Sequence, residues 1–124
     1  MSLILEAVKA TIPEARYSLP LQQVATCAFM TMVKTERLGV SMTLSDDRVF
    51  EFKVHMPVSH LGEIETLGLR KVLSWTDSLQ GIERSFAIAA INSALPLDGS
   101  YFVGNALELA ARLGAGRRVA VVGH

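Results

Sequence analysis

The clearest alternation of apolar and polar positions in this chain lies in residues 38–44, LGVSMTL. Large apolar side chains occupy every second position, and smaller residues stand between them: Leu38, Val40, Met42 and Leu44 on one face, Gly39, Ser41 and Thr43 on the other. This period of two is typical of a β-strand, in which successive side chains point to opposite faces. Residues 49–54, VFEFKV, alternate in the same way after an SDDR turn.

A third β-like stretch lies upstream, in residues 24–34, VATCAFMTMVK, where apolar residues fall on both faces. Such a mixed pattern is expected of a strand that is covered on each side. Together with residues 38–44 and 49–54, it predicts a three-stranded antiparallel meander.

A helix is predicted before this meander, in residues 3–16, where apolar residues recur at helical spacing. Pro13 disfavours helical backbone at the residue before it, so we expect the helix to end near Thr11. Residues 16–23 contain Pro20 and are interpreted as a loop.

Two further helices are predicted after the meander, the first of them short and ending near Trp75. Asp77, with Gln80 three residues later, resembles a capping box that opens the second, and Pro96 stops it. Apolar residues line most sides of this second helix: Leu79, Ile82, Phe86, Ala89 and Ala90 in one stripe and Ile88, Ile91 and Leu95 in another. A helix of this kind is buried.

The C-terminal part begins with a turn-rich connector, after which Asn105 and Glu108 resemble another capping box. One apolar stripe follows at helical spacing: Val103, Ala106, Leu107, Ala110 and Leu113. The last residues, GRRVAVVGH, predict a closing strand that resembles the first strand of a doubly wound domain. The order of elements predicts the α+β class.

Composition narrows the possible partners. The chain has 124 residues, of which 50% are hydrophobic and 19% charged, which suits a packed core. Twelve basic and twelve acidic residues cancel, so we expect neither a nucleic-acid partner nor a charged tail. No apolar run reaches membrane-spanning length, so no membrane partner is expected. The single cysteine fits the reducing cytoplasm, where we expect the protein to reside.

The residues that commonly bind soft metals are few: Cys27, His55, His60 and His124. Zinc needs three or four such ligands at characteristic spacing, so no metal site is expected from this chain alone. We find no pattern for a nucleophile and its base, so whether the protein is an enzyme stays open. No GxGxxG motif indicates a dinucleotide, and the cofactor is left unassigned.

Three polar positions have a structural and a functional interpretation. Asn92 lies on the helix expected to be buried, where an amide that ties a neighbouring loop is favoured over a ligand group. Asn105 is interpreted as a helix cap. The polar residues 35–37 are explained by a hairpin turn.

Two stretches resemble a known family: RSFAIAAINSAL (84–95) and GNALELAARLGAGRRVAVVGH (104–124). They are similar to the family called "putative heavy-metal chelation", whose members are domains of unknown function. The resemblance implies an enolase N-terminal-like domain in residues 1–98. Residues 99–124 would then supply a linker, a helix and the first strand of a Rossmann-like domain.

In that family the expected site lies in the cleft between the two domains. Residues that would face it are taken as ligand-binding candidates: Thr35, Glu36, Asn92, Gly123 and His124. The resemblance implies a protein that binds a metal or a small ligand. The alternatives are an interaction or oligomerisation module without a small-molecule site, and a metal-assisted enzyme.

The closing strand also bears on assembly. A strand such as residues 119–122 has unpaired backbone groups and apolar side chains on both faces. Since the sequence ends there, we expect it to pair between chains in a homodimer, with the last helix and strand exchanged between protomers.

Overall fold

The computed structural model describes residues 3–44, 62–97, 99 and 103–120. Its strands and α-helices follow one another as α1 (Leu3–Lys9), β1 (Gln23–Thr26), β2 (Met30–Lys34), β3 (Leu38–Met42), α2 (Leu69–Leu73), α3 (Gly81–Ala94) and α4 (Ala106–Gly114). Short 3-10 helices span Glu14–Ser18, Ile64–Leu67 and Ser74–Asp77. The fold is α+β, as predicted, with a three-stranded antiparallel sheet in the order β1-β2-β3.

The strands differ from the prediction in one respect, because the stretch 24–34 is a hairpin of β1 and β2 and not a single strand. The Cys27 N–H donates to the Met30 carbonyl at 2.9 Å, which closes a tight turn between them. In β1, before the turn, the even-numbered residues face the helices. In β2, after the turn, the odd-numbered residues do. This change of phase produced the mixed pattern. The predicted strand 49–54 lies outside the described residues.

The helix-facing side of the sheet is lined by small residues, the reverse of the usual arrangement. Gly39 is buried against α3, where an added Cβ would lie 2.0 Å from the Ala89 carbonyl oxygen and 2.4 Å from the Ser93 nitrogen. Only glycine lets the helix come this close to β3. The large apolar side chains of β3 therefore lie on the other side, which we call the open face.

Helix α3 forms the centre of the core, and most of its 14 residues are buried. The prediction of a buried helix is confirmed. Phe86 packs edge to face against Trp75, with ring centroids 6.5 Å apart, and Val33 of β2 is fully buried in the same cluster.

The start of α3 corrects the sequence interpretation, because the helix begins at Gly81 and not at Asp77. Leu79 is 91% exposed and does not belong to its apolar stripe. The N-cap residue is Gln80, whose side chain makes no capping bond. Just before it, the Ser78 hydroxyl accepts from the Gln80 N–H at 3.0 Å and donates to the Glu83 carboxylate. No capping box forms at Asp77 and Gln80 in this described segment.

Helix α4 carries the predicted cap but has no buried residue. The Asn105 side chain accepts from the Leu107 N–H at 2.9 Å, which confirms the capping role. The apolar stripe is open, with Leu107 80% and Val103 84% exposed. Residues 118–120 form no strand, and residues 121–124 lie outside the described part of the chain.

The N-terminal helix α1 ends at Lys9, close to the predicted end near Thr11. Residues 16–23 were expected to be a loop, but a 3-10 helix at Glu14–Ser18 reaches into them. Within the described ranges, every helix is too short or too polar to cross a lipid bilayer.

Candidate functional site

Polar side chains converge on the C-terminal end of α3, where the chain leaves the core. They come from the β2–β3 turn and from the 3-10 helix near the N-terminus. We call them the junction cluster: Arg16, Thr35, Glu36 and Arg37. Three of the four donate hydrogen bonds to the carbonyls of residues 93, 94 and 95.

These bonds satisfy carbonyls that the helix itself leaves without partners. The Arg16 Nε donates to the Ala94 carbonyl at 2.7 Å, and the Arg37 guanidinium donates to the Leu95 carbonyl. Two cations at this position also oppose the partial negative charge at a helix C-terminus. The turn of the hairpin and the end of the helix are thereby held together.

Thr35 belongs to the inner side of the cluster. The side chain is fully buried, and its hydroxyl donates to the Ser93 carbonyl at 3.3 Å. This hydrogen bond explains why a threonine stands at position 35, and the explanation does not require a bound ligand. Thr35 can therefore act on a ligand only by holding its neighbours in place.

Glu36 is the outer member of the cluster, with a side chain that is 60% exposed. Its Oε2 lies 3.5 Å from Nη2 of Arg16. That nitrogen is buried and makes no hydrogen bond to any described residue. The carboxylate is thus anchored on one side by an ion pair and open to solvent on the other, where a cation or hydrogen-bond donor can approach.

Asn92 is exposed and not buried, which corrects the expectation from the sequence. Its Nδ2 donates to the Val40 carbonyl at 2.8 Å. The Arg37 carbonyl accepts from the Thr35 N–H, and the Thr43 N–H donates to the Phe29 carbonyl. Odd-numbered residues therefore bond toward β2, and by alternation the Val40 carbonyl points away from β2. The amide does tie a neighbouring backbone, as favoured from the sequence, but it does so at the surface.

The remaining residues predicted for the site, Gly123 and His124, lie outside the described residues, as do His55 and His60. In residues 3–44, 62–97, 99 and 103–120, no three side chains of histidine, cysteine, aspartate or glutamate come close enough to hold a metal ion. Of the predicted site residues, Thr35 and Glu36 lie in the junction cluster at the C-terminal end of α3. Asn92 lies on the last turns of α3 itself.

A second surface was missed by sequence reasoning, because the alternation in residues 38–44 does not say which face is covered. The open face carries a hollow of about 330 Å³. Five of the residues around it point to the open face: Gln23, Ala25, Met32, Lys34 and Leu38. Val24, which packs against the core, also borders the hollow. The glycine at position 39, between two large apolar residues, was the available signal that the helix packs on the small side.

Comparisons with known proteins give a family from the sequence and a similar fold from a solved structure. A family profile described as "Putative heavy-metal chelation" matches residues 8–95. A protein of unknown function from the DUF364 family of Desulfitobacterium hafniense DCB-2 has a similar solved structure, with a TM-score of 0.51 and 23% identity. The similarity covers 73% of this chain and 33% of that chain. No curated protein matches the sequence.

Proposed function

Because the chain belongs to the "Putative heavy-metal chelation" family, we propose that it is one domain of a two-domain protein that binds a metal ion or small ligand between the domains. In this proposal residues 1–98 are an enolase N-terminal-like domain, and residues 99–124 lead into a Rossmann-like domain. The similar solved structure is a longer chain, of which this fold occupies 33%. The free thiol of Cys27 suits the cytoplasm, where we place the protein.

The junction cluster is the observation that supports this proposal most strongly. The chain leaves α3 at Leu95, whose carbonyl accepts a hydrogen bond from the Arg37 guanidinium. The junction cluster therefore fixes the direction in which the following residues leave the helix. Glu36 lies on the exposed side of the same cluster. The linker therefore begins near this carboxylate, which favours a site between the two parts.

Within that cleft, the proposed ligand groups are the Glu36 carboxylate, the Asn92 amide and the C-terminal pair Gly123 and His124. Carboxylate oxygens and imidazole nitrogens are ordinary ligands of divalent transition metals. Thr35 is a positioning residue, because its hydroxyl is bound to the helix end.

The proposal is tested by titrating Zn²⁺ and Ni²⁺ into the full native polypeptide by calorimetry. We expect Glu36→Gln to weaken binding at least about tenfold, the loss that even an indirect metal partner produces. Glu65→Gln is the matched control, because Glu65 is an exposed carboxylate on the 3-10 helix Ile64–Leu67. No binding of either metal, or equal affinity of the wild type and Glu36→Gln, would overturn the metal-binding form of the proposal.

A second candidate function, self-association, is favoured by the exposed stripe of α4. Leu107 and Leu113 are 80% and 61% exposed on a helix with no buried residue. We propose that two copies bury these stripes against each other in a homodimer. Light scattering at several concentrations should give a dimer for residues 1–124 and a monomer for a chain cut after Asp98. If residues 1–124 stay monomeric at high concentration, this assembly is excluded.

A further inference from the structure

Three sulfur-containing side chains form a row across the sheet, at the end of the strands opposite the junction cluster. We call them the sulfur row: Cys27, Met30 and Met42. The Cys27 N–H donates to the Met30 carbonyl at 2.9 Å, so these two residues stand opposite each other. On the other side of β2, Met30 is the ladder partner of Met42.

The row lies on the open face of the sheet. The adjacent ladder pair, Thr26 and Thr31, points to the other face, where Thr31 is fully buried. Residues one step along a strand point to the opposite side, so the sulfur side chains point away from the core. Met30 is 46% exposed and Met42 is 74% exposed, and Cys27 is exposed as well.

The backbone beneath the row is held by a chain of hydroxyl groups. Each sulfur residue is followed or preceded by a threonine, and the three threonines are Thr26, Thr31 and Thr43. Their hydroxyl oxygens are linked in sequence, at 2.8 Å from the first to the second and 2.9 Å from the second to the third. This chain runs from β1 through β2 to Thr43, the residue after β3, on the face opposite the row.

The spacing allows the sulfur atoms to meet. Side chains opposite each other in an antiparallel pair have Cβ atoms about 4.5–5.5 Å apart. Methionine is unbranched and flexible, so the central Met30 thioether can turn toward either neighbour. Cys27 and Met42 flank Met30, about 9–11 Å apart by the same spacing, so an ion above Met30 is within reach of all three side chains. The Cys27 thiol donates to the Met30 carbonyl at 3.3 Å and gives up that bond when it turns to the ion.

The environment of Cys27 favours the charged form that binds metals. Backbone amide hydrogen bonds from Phe29 and, to a smaller extent, Met30 hold the pKa of the exposed thiol below its ordinary value. Since the thiolate is the ligand form of cysteine, a lower pKa makes the ligand available nearer to neutral pH.

We propose that the sulfur row binds one soft monovalent cation, Cu(I), through the Cys27 thiolate and the thioethers of Met30 and Met42. Thiolate and thioether ligands select such cations over Mg²⁺ or Ca²⁺. The thiol releases one proton as the sulfur–metal bond forms, so the charge of the site does not change. The proposal does not rest on the cleft between domains, because it uses other residues at the other end of the sheet.

The test uses Ag(I) and, under anaerobic conditions, Cu(I), each titrated into the protein against a chromophoric chelator. We expect one equivalent to bind, Cys27→Ser to abolish binding, and Met30→Leu or Met42→Leu to weaken it at least tenfold. The matched control is Met32→Leu, because Met32 lies on the same face and the same strand but lines the hollow and not the row. Its affinity should equal that of the wild type.

Fluorescence of the single tryptophan, Trp75, shows whether each variant is folded, because the residue is buried in the core. As a second measurement, Ag(I) should protect Cys27 from alkylation in the wild type and much less in Met42→Leu. Absence of a one-to-one complex would overturn the proposal. So would methionine variants that bind as tightly as the wild type, or a loss in Met32→Leu equal to that in Met42→Leu.

Discussion

Asn92 shows how burial sets the energetic role of a single side chain. A buried amide whose partner is removed costs about 1–3 kcal/mol, but an exposed one regains hydrogen bonds to water. Since Asn92 is exposed while its Nδ2 binds the Val40 carbonyl at 2.8 Å, we predict that Asn92→Ala lowers the free energy of unfolding by about 0.5–1.5 kcal/mol.

Urea denaturation followed by Trp75 fluorescence measures this change. A loss above about 3 kcal/mol would mean that the amide is sealed from water in solution, contrary to the structure. An unchanged midpoint would mean that the hydrogen bond from Asn92 to the Val40 carbonyl contributes nothing to stability.

Cys27 gives a prediction in pH. Its pKa lies below that of an ordinary thiol because of the amide hydrogen bonds from Phe29 and Met30. The rate of alkylation by iodoacetamide follows the thiolate, so it should rise with pH through a midpoint that is lower in the folded protein than in urea. The same shift means that the thiolate stabilises the fold above the pKa of the unfolded chain, and that this contribution is lost as pH falls. Equal midpoints in the two states would contradict the structure.

For single residues, the sequence correctly predicted a role where that role depends only on immediate neighbours along the chain. The Asn105 cap needs only the next helical turn, and its bond to the Leu107 N–H is present. The capping box at Asp77 was wrong because Ser78, one residue later, takes the Gln80 N–H instead. Asn92 was misplaced because exposure depends on where β3 lies, which is not a local property.

Among the elements, the contact of β3 with α3 depends on Gly39. An added Cβ would meet backbone atoms of Ala89 and Ser93, which cannot rotate away as a side chain can. Overpacking a core typically costs about 1–3 kcal/mol, and more where nothing can yield. We therefore predict that Gly39→Ala lowers the free energy of unfolding by at least about 3 kcal/mol.

The matched control is Gly114→Ala at the end of α4. There the nearest atom is the Val119 Cγ2 at 2.7 Å, the end of a side chain that can move. Alanine also favours helix over glycine by about 1 kcal/mol. Stability should stay the same or rise slightly, as measured by the same urea titration. Equal effects of the two substitutions would mean that α3 does not press against β3 at this glycine.

The elements also show why patterning alone predicted the class of fold but not its faces. Strand β3 and the buried helix followed from periods of two and of 3.6 residues, whereas the predicted strand 49–54 lies outside the described residues. The hairpin in residues 24–34 was hidden because the turn shifts the phase of alternation. The open face was not predicted because an alternating strand has two faces, and only the packing of α3 on Gly39 decides between them.

The whole molecule presents separate surfaces with different chemistry. The junction cluster offers an anchored carboxylate beside the point where the chain leaves α3. The open face offers sulfur and apolar side chains. The cluster itself was foreseen only in part, since Thr35 and Glu36 were named from the sequence, whereas Arg16 comes from a segment nearly twenty residues away along the chain. Contacts of that kind follow from the tertiary fold alone.

The central claim is that the full protein binds a divalent metal ion beside the end of α3. The most direct measurement is amide NMR of the full native polypeptide with paramagnetic Ni²⁺, which broadens the signals of nearby residues. We predict that broadening at low Ni²⁺ is strongest at residues 35–37 and 92–95. Broadening centred on other residues, or none at all, would contradict the account.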